Sequence, residues 1–335
     1  MNIYDVSKKA GVSTATVSRV INGSGKVSEE TRRRILAIMD EVSYTPSTFA
    51  RKLGSSSTMT IGIMCVDSSD PFFARAVNLI DGALKENNYE TLMHCTGYEL
   101  ANKQKSVKRL LASRVDAIIM VGSSYVESEE NAVYIKEAAK ELPVMMVNGV
   151  LRYPNVYNIA SDDKDAAYQI TARFIESGRR NLIYLYDSAN YSGIKKLSGF
   201  ALALEQAGIE PKEDRMILVG KVSRPVENAK ARLMELKGME IDGIVTANDL
   251  LAAGALKFAK EIGVSVPEQM FISGFDNSNI ACCCDPELTS IDNKLEPICA
   301  TSVATLLGVL EGRDMPKTTL FSSAIIERGT TRLKP

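Results

Sequence analysis

A chain of 335 residues that is 45% hydrophobic can bury more than one core. Its net charge of −1 gives no overall attraction to phosphate or anionic lipid, and no apolar run reaches the roughly 18 residues that spanning a bilayer requires. The charge is unevenly placed, with nine Lys and Arg against five Asp and Glu over residues 1–60, a net +4, and 31 against 36 over the rest, a net −5. A basic head on an acidic body suits one region facing phosphates and another facing solvent and a small ligand. Cys65, Cys95, Cys282, Cys283, Cys284 and Cys299 have neither disulfide nor zinc spacing. They read as small thiols in a reducing compartment rather than metal or redox centres.

The opening segment predicts two short helices joined by a tight turn. Ile3, Val6 and Ala10 share one apolar face, and Val12, Val17, Val20 and Ile21 supply the face that meets it. Gly11 suits the left-handed position that closes the first helix, and Ser13 is a good N-cap for the second. Thr14, Ala15, Thr16, Ser18, Arg19 and Asn22 are left facing outward. Small polar side chains and an arginine on a second helix are what a helix-turn-helix unit lays in the major groove of DNA. An ordinary helical hairpin is the plainer alternative.

A third helix is expected from Ser28, as N-cap, to Val42, with Ile35, Leu36, Met39 and Val42 closing a small core and Tyr44 and Pro46 ending it. Residues 47–54 form a marginal short helix with Phe49, Ala50 and Leu53 on one face, and the Ser-rich stretch 55–58 reads as a linker.

From Thr60 the pattern changes. Strands are expected at 60–66, 89–96, 117–122, 144–149, 182–187, 216–220, 243–248, 270–276 and 288–292, separated by helices such as 72–87, 101–113, 129–141, 163–177, 193–207 and 249–262. This alternation predicts parallel sheets with helices on both faces, arranged as two open α/β subdomains. The only histidine, His94, falls inside a strand and reads as structural.

Several strand ends carry polar groups. Asp67-Ser68-Ser69-Asp70-Pro71-Phe72-Phe73 follows the first strand; of the two phenylalanines, one belongs to the core and the other is free to meet a ligand. Asn248-Asp249 and Asp276-Asn277 place amide beside carboxylate at strand C-termini, where hydroxyls of a sugar-like molecule find donors and acceptors together. Asp249 suits a helix N-cap equally well. In the loop 187–196, Lys196 could complement a carboxylate or phosphate, though without the bidentate fork of arginine, or could be a solvated charge.

The runs Tyr4-Asp5-Val6, Ala10-Gly11-Val12-Ser13, Thr16-Val17-Ser18-Arg19-Val20-Ile21-Asn22, Val27-Ser28-Glu29-Glu30-Thr31-Arg32 and Tyr44-Thr45-Pro46 resemble the headpiece of the lactose/galactose-repressor family. The likeness extends to Glu327-Arg328-Gly329-Thr330-Thr331, so it covers essentially the whole chain. The resemblance implies a helix-turn-helix headpiece at 1–46, a hinge helix and linker at 47–58, and an effector-binding and dimerisation core at 59–335. That core would comprise an N-subdomain (59–159 and 292–321) and a C-subdomain (160–291 and 322–335), doubly wound and of the periplasmic-binding-protein-like type, with crossings near 159, 291 and 321.

It implies further that Thr14, Ala15 and Arg19 read base edges, while Thr16, Ser18, Asn22 and Thr31 contact phosphates. In the hinge, Ala50 and Leu53 would enter the minor groove with Leu53 as an apolar wedge. Ser47 departs from the family's usual asparagine there. Phe72, Phe73, Asn148, Lys196, Asn248, Asp249, Asp276 and Asn293 match effector-cleft positions.

The expected protein is thus a transcriptional regulator, most simply a repressor. It would bind a pseudo-palindromic operator in double-stranded DNA as a homodimer under the control of a sugar or sugar acid. With no secretion signal and no heptad tail, a cytoplasmic dimer is expected rather than an exported solute-binding protein or a tail-built tetramer. No phosphate loop, nucleophile elbow or well-placed histidine suggests an enzyme, and neither cofactor nor metal is expected.

Overall fold

A computed structural model describes residues 3–21, 25–42, 57–220 and 223–334. Asn22, Tyr44, Pro46, Ser47, Phe49, Ala50, Leu53 and the expected hinge helix lie outside them. The chain divides into two compact units that meet at Met59 and Thr60.

The first unit holds α1 (Ile3–Ala10), α2 (Thr14–Ile21) and α3 (Glu29–Glu41). Gly11 takes φ +65°, a conformation costly for other residues, and reverses the chain between α1 and α2. Ser13 Oγ then accepts the Thr16 amide at 3.2 Å, and Ser28 Oγ accepts that of Thr31 at 3.3 Å, capping α2 and α3. Val6, Ala10, Val17, Val20 and Ile35 form the core, with Ile38, Met39 and Val42 packed partly against it. Leu36 corrects the expected core: it is 47% exposed. The buried stripe of α3 runs 35, 38, 39, 42, and one residue beyond Ile35 the helix has turned about 100° away.

The second unit begins with β1 (Thr60–Cys65), α4 (Pro71–Glu86), β2 (Glu90–Cys95), α5 (Leu100–Ala112), β3 (Ala117–Val121), α6 (Val133–Glu141), β4 (Val144–Val147) and β5 (Val156–Ser161). It continues with α7 (Asp163–Glu176), β6 (Leu182–Tyr186), α8 (Tyr191–Gln206), β7 (Met216–Leu218), α9 (Pro225–Met234), β8 (Gly243–Thr246), α10 (Asp249–Glu261), β9 (Phe271–Phe275) and α11 (Asn279–Cys283). It ends with β10 (Thr289–Asp292), α12 (Leu295–Leu310), β11 (Thr318–Phe321) and β12 (Ala324–Ile326).

Two six-stranded sheets result, ordered β2-β1-β3-β4-β5-β11 and β7-β6-β8-β9-β10-β12. All pairings are parallel except that of β12 with β10. The chain leaves the first sheet after Ser161, leaves the second after Asp292, and crosses once more between β11 and β12. β3 and β4 are buried throughout, as apolar strands covered on both faces must be. Each sheet anchors a separate apolar core.

Three strands depart from the expected set: β5, β11 and β12. β5 reads Val-Tyr-Asn-Ile-Ala-Ser, yet all six residues are buried. The sequence hides it because Asn158 interrupts the apolar run. In the fold, that side chain accepts the Leu151 amide at 2.8 Å and donates to the Lys317 carbonyl at 3.0 Å, which removes the cost of burying it. β11 and β12 are short edge strands whose register comes from distant partners.

Candidate functional site

The C-terminal ends of β1, β3 and β4 in one lobe face those of β6, β8 and β9 in the other, across a cleft whose empty space, its open mouth included, is about 760 Å³. Open parallel sheets of this winding expose a crevice beyond their strand C-termini.

The first lobe supplies a largely neutral wall. After β1, Asp70 caps α4 by accepting the Phe72 amide at 2.9 Å. Phe73 is 7% exposed and packs edge-on against Phe72, ring centroids 5.4 Å apart. Its ring sits where a Cβ on Gly122 would come within 2.4 Å, so Phe73 belongs to the core while Phe72 borders the cleft. In the turn after β3, the Ser124 carbonyl accepts from Lys103 of α5 at 2.6 Å, and Lys103 pairs with Glu127 at 2.8 Å, both groups nearly buried. That pair fixes the turn carrying Ser123 and Ser124. After β4, Asn148 takes φ +58° and its Oδ1 accepts the Ser161 amide at 3.4 Å.

The second lobe supplies most of the charge. Asn190 caps α8 through the Gly193 amide at 2.9 Å and reaches across to Ser124 Oγ at 3.3 Å. A side chain on Gly193 would collide with the Ser188 carbonyl. Asn248 caps α10 through the Leu251 amide at 3.0 Å and donates to Asp187 at 3.1 Å. Asp276 follows β9 at φ +92° and accepts from Asn293 at 2.8 Å. Burial pushes its carboxyl up to about 7, with Lys196 opposing the rise and Asp249, Asp70 and Asp163 adding to it. Nearby, Asp163 accepts the hydroxyls of Ser161 and Ser192.

Asp249, Lys196 and Asn293 each take a definite place. Asp249 is not the cap of α10, because Asn248 holds that position. Both its oxygens accept hydrogen bonds within the fold, one from Ser290 Oγ at 2.6 Å and the other from Ser278 N and Oγ at 2.7 and 2.8 Å. Asp249 therefore lines the cleft but anchors the 276–278 loop. Lys196 is not a solvated charge. It is 7% exposed, donates to the Ala247 carbonyl at 2.9 Å and lies 3.5 Å above the Phe275 ring centroid. Among the described lining residues its ammonium is the one cation against Asp70, Asp187, Asp249 and Asp276. Asn293 is buried behind Asp276 and does not line the cleft.

Phe72, Phe73, Asn148, Lys196, Asn248, Asp249 and Asp276 are thus gathered on one cleft. Ser124, Asp187, Asn190 and Ser192 join them without having been expected. Their signal was positional, since Asp187 follows β6 directly and Ser124 lies in the turn after β3, but serines and asparagines after strands are common turn residues.

On the first unit, Ala15 and Arg19 are exposed at i and i+4 on α2, and Ser18 lies one turn from Thr14. Thr16 Oγ1 is 2.9 Å from Ser13 Oγ, and Thr31 Oγ1 accepts from Ser28 Oγ at 2.8 Å, so both belong to helix caps.

Comparison with known proteins agrees with both units. Residues 2–47 match the model of bacterial regulatory proteins of the lacI family. Residues 58–320 match that of periplasmic binding proteins and the sugar binding domain of the LacI family. An HTH-type transcriptional regulator of Lachnoclostridium phytofermentans is 48% identical over 99% of both chains. The HTH-type transcriptional regulator GalR of Escherichia coli is 30% identical over 97% of this chain and 94% of its own. In fold, the chain is similar to the Lac repressor dimer bound to operator and the anti-inducer ONPF, with a TM-score of 0.85 at 22% identity over 98% of both chains. The chain belongs to the LacI family of bacterial regulatory proteins. It is a DNA-binding transcriptional regulator with a small-molecule-binding body, not an enzyme. No helix among the described residues is long and apolar enough to cross a membrane.

Proposed function

We propose that the cleft binds a neutral, hydroxyl-rich ligand of sugar size, and that ligand occupancy changes the affinity of the headpiece for its operator. The charge balance of the wall carries this reading. Among the described lining residues four acidic side chains stand against one internally bonded ammonium, a balance that disfavours a sugar acid, while Asp187 and Asp276 offer acceptors to hydroxyls and Asn148, Asn190, Asn248 and Ser124 add donors and acceptors in a semi-enclosed space. Phe72 gives an apolar face for the C–H side of a pyranose ring. The direct ligand contacts assigned are Phe72, Asn148, Asp187, Asn190, Asn248 and Asp276; Asn293, Asp249 and Lys196 hold that wall in place.

On the DNA side, Arg19 and Ala15 read base edges in the major groove, with Arg19 suited to a bidentate guanine contact. Thr14 and Ser18 on the same helix, with Asn22, meet base edges or phosphates, and Ala50 and Leu53 act in the minor groove. The protein works as a cytoplasmic homodimeric repressor on a pseudo-palindromic site, an arrangement suggested by the family resemblance. Thermal-shift measurements with neutral mono- and disaccharides beside the matching sugar acids test the ligand class. Stabilisation by at least one neutral sugar and by no sugar acid is expected; stabilisation by acids alone refutes the reading. Gel shifts with fragments from the protein's own genome test the other half.

A further inference from the structure

We propose that Cys65 and Cys95 form a redox-active dithiol, a modification site where β1 and β2 lie side by side, that a hydroperoxide converts reversibly to a disulfide. β1 and β2 run parallel with Cys65 directly opposite Cys95 in register. Side chains of register partners leave the same sheet face, and neighbouring strands lie about 4.7–4.9 Å apart, inside the Cα separation of about 4.4–6.8 Å that a disulfide bridges. Cys95 Sγ donates to the carbonyl of Val66, the residue after Cys65, at 3.6 Å.

Their environments differ. Cys95 is exposed on an edge strand, whereas Cys65 is fully buried. Burial, and after it the neighbouring Cys95, push the Cys65 thiol up to about 12, which keeps it protonated and unreactive towards oxidants in solution. Cys95 therefore meets the peroxide first. Its thiolate attacks the O–O bond, taking one oxygen as a sulfenic acid and releasing an alcohol, or water from hydrogen peroxide. The Cys65 sulfur then displaces that oxygen from Cys95. Its own proton leaves with the hydroxide as water, and the S–S bond forms. The peroxide gains two electrons and each thiol loses one.

The remaining cysteines lack this arrangement. Cys299 is buried, and Cys282, Cys283 and Cys284 follow one another along the chain. The pair lies at the base of a loop that reaches the cleft: β1 ends at Cys65, and the chain that follows carries Asp70 and Phe72 to the cleft wall. Thr96, next to Cys95, bonds to the Cys65 carbonyl and to Tyr125 OH at 2.9 Å, at the end of the Ser123–Tyr125 turn.

The test treats the full-length protein with graded hydrogen peroxide, blocks remaining thiols with N-ethylmaleimide and maps peptides without reduction. The expected product is a linked pair of peptides containing Cys65 and Cys95, lighter by two hydrogens and restored by dithiothreitol. In Cys65→Ser, dimedone should trap Cys95 as a sulfenic acid in several-fold higher yield. The exposed variant Cys95→Ser, which folds without disturbing the core, should leave Cys65 unoxidised at the same dose. Over-oxidised Cys95 with intact Cys65 in the native chain would overturn the proposal, as would a disulfide joining Cys95 to another copy. It does not depend on the ligand reading, since neither sugar nor DNA enters the assay.

Discussion

The two lobes of the body share one winding and arm it differently. Each places strands in the order 2-1-3-4-5 and opens its strand ends on the cleft. The first lobe presents Phe72, Ser123, Ser124 and Asn148, with Asp70 at its edge; the second presents Asp187, Asn190, Asn248, Asp276 and the internally bonded Lys196. Sheet topology therefore fixes where a ligand sits, whereas loop chemistry fixes what it is. A flat molecule with an apolar face towards one lobe and hydroxyls towards the other uses both.

The sharpest way to break this contrast is Asp276→Asn. If Asp276 accepts ligand hydroxyls, losing a charge-assisted bond costs about 1.5–3 kcal/mol, roughly 10–150-fold in affinity by calorimetry, with the fold retained. An unchanged affinity would move recognition elsewhere in the lobe. Phe72→Ala should cost less, about 1 kcal/mol of ring packing, and should weaken pyranoses more than open-chain polyols. Equal losses for both would show that Phe72 does not meet a ring face.

A third effect is one of pH. Because burial raises the Asp276 carboxyl from 3.8 to about 7, the folded state holds a proton that the unfolded chain releases between those values. The stability this group contributes is therefore fully present below 3.8 and is lost as pH rises through about 7. Thermal melts of Asp276→Asn should be flatter than wild type across that window. Lys196→Met removes the cation that opposes the rise and should carry the loss to higher pH; a shift to lower pH would contradict the assignment. The smallest effect belongs to Asn190→Ala, which removes the α8 cap and the bond to Ser124. About 1 kcal/mol of stability should be lost, read as a small fall in melting temperature.

How far the sequence reached follows the physics of each element. The turn at Gly11 and the apolar strands β1, β3 and β4 were legible because local conformation and hydrophobic runs dictate them. β5 was not, since the partners that neutralise Asn158 include Lys317, far along the chain. The cleft was half legible. Asn248 and Asp276 stood out as amide and carboxylate after apolar strands, whereas the internal bonding of Asp249 and Lys196 depends on Ser278, Ser290, Phe275 and Ala247, which only tertiary packing brings near. Of the expected sugar or sugar acid, those contacts favour the neutral sugar.

The most direct test of coupling between cleft and headpiece is fluorescence anisotropy of a labelled operator, titrated with wild type and with Asp276→Asn, each with and without the stabilising neutral sugar. Coupling of ordinary size should shift wild-type operator affinity by about 5–150-fold, while the variant keeps its sugar-free affinity and loses the shift. A variant that responds as fully as wild type, or a sugar that binds wild type without altering operator affinity, would contradict the account.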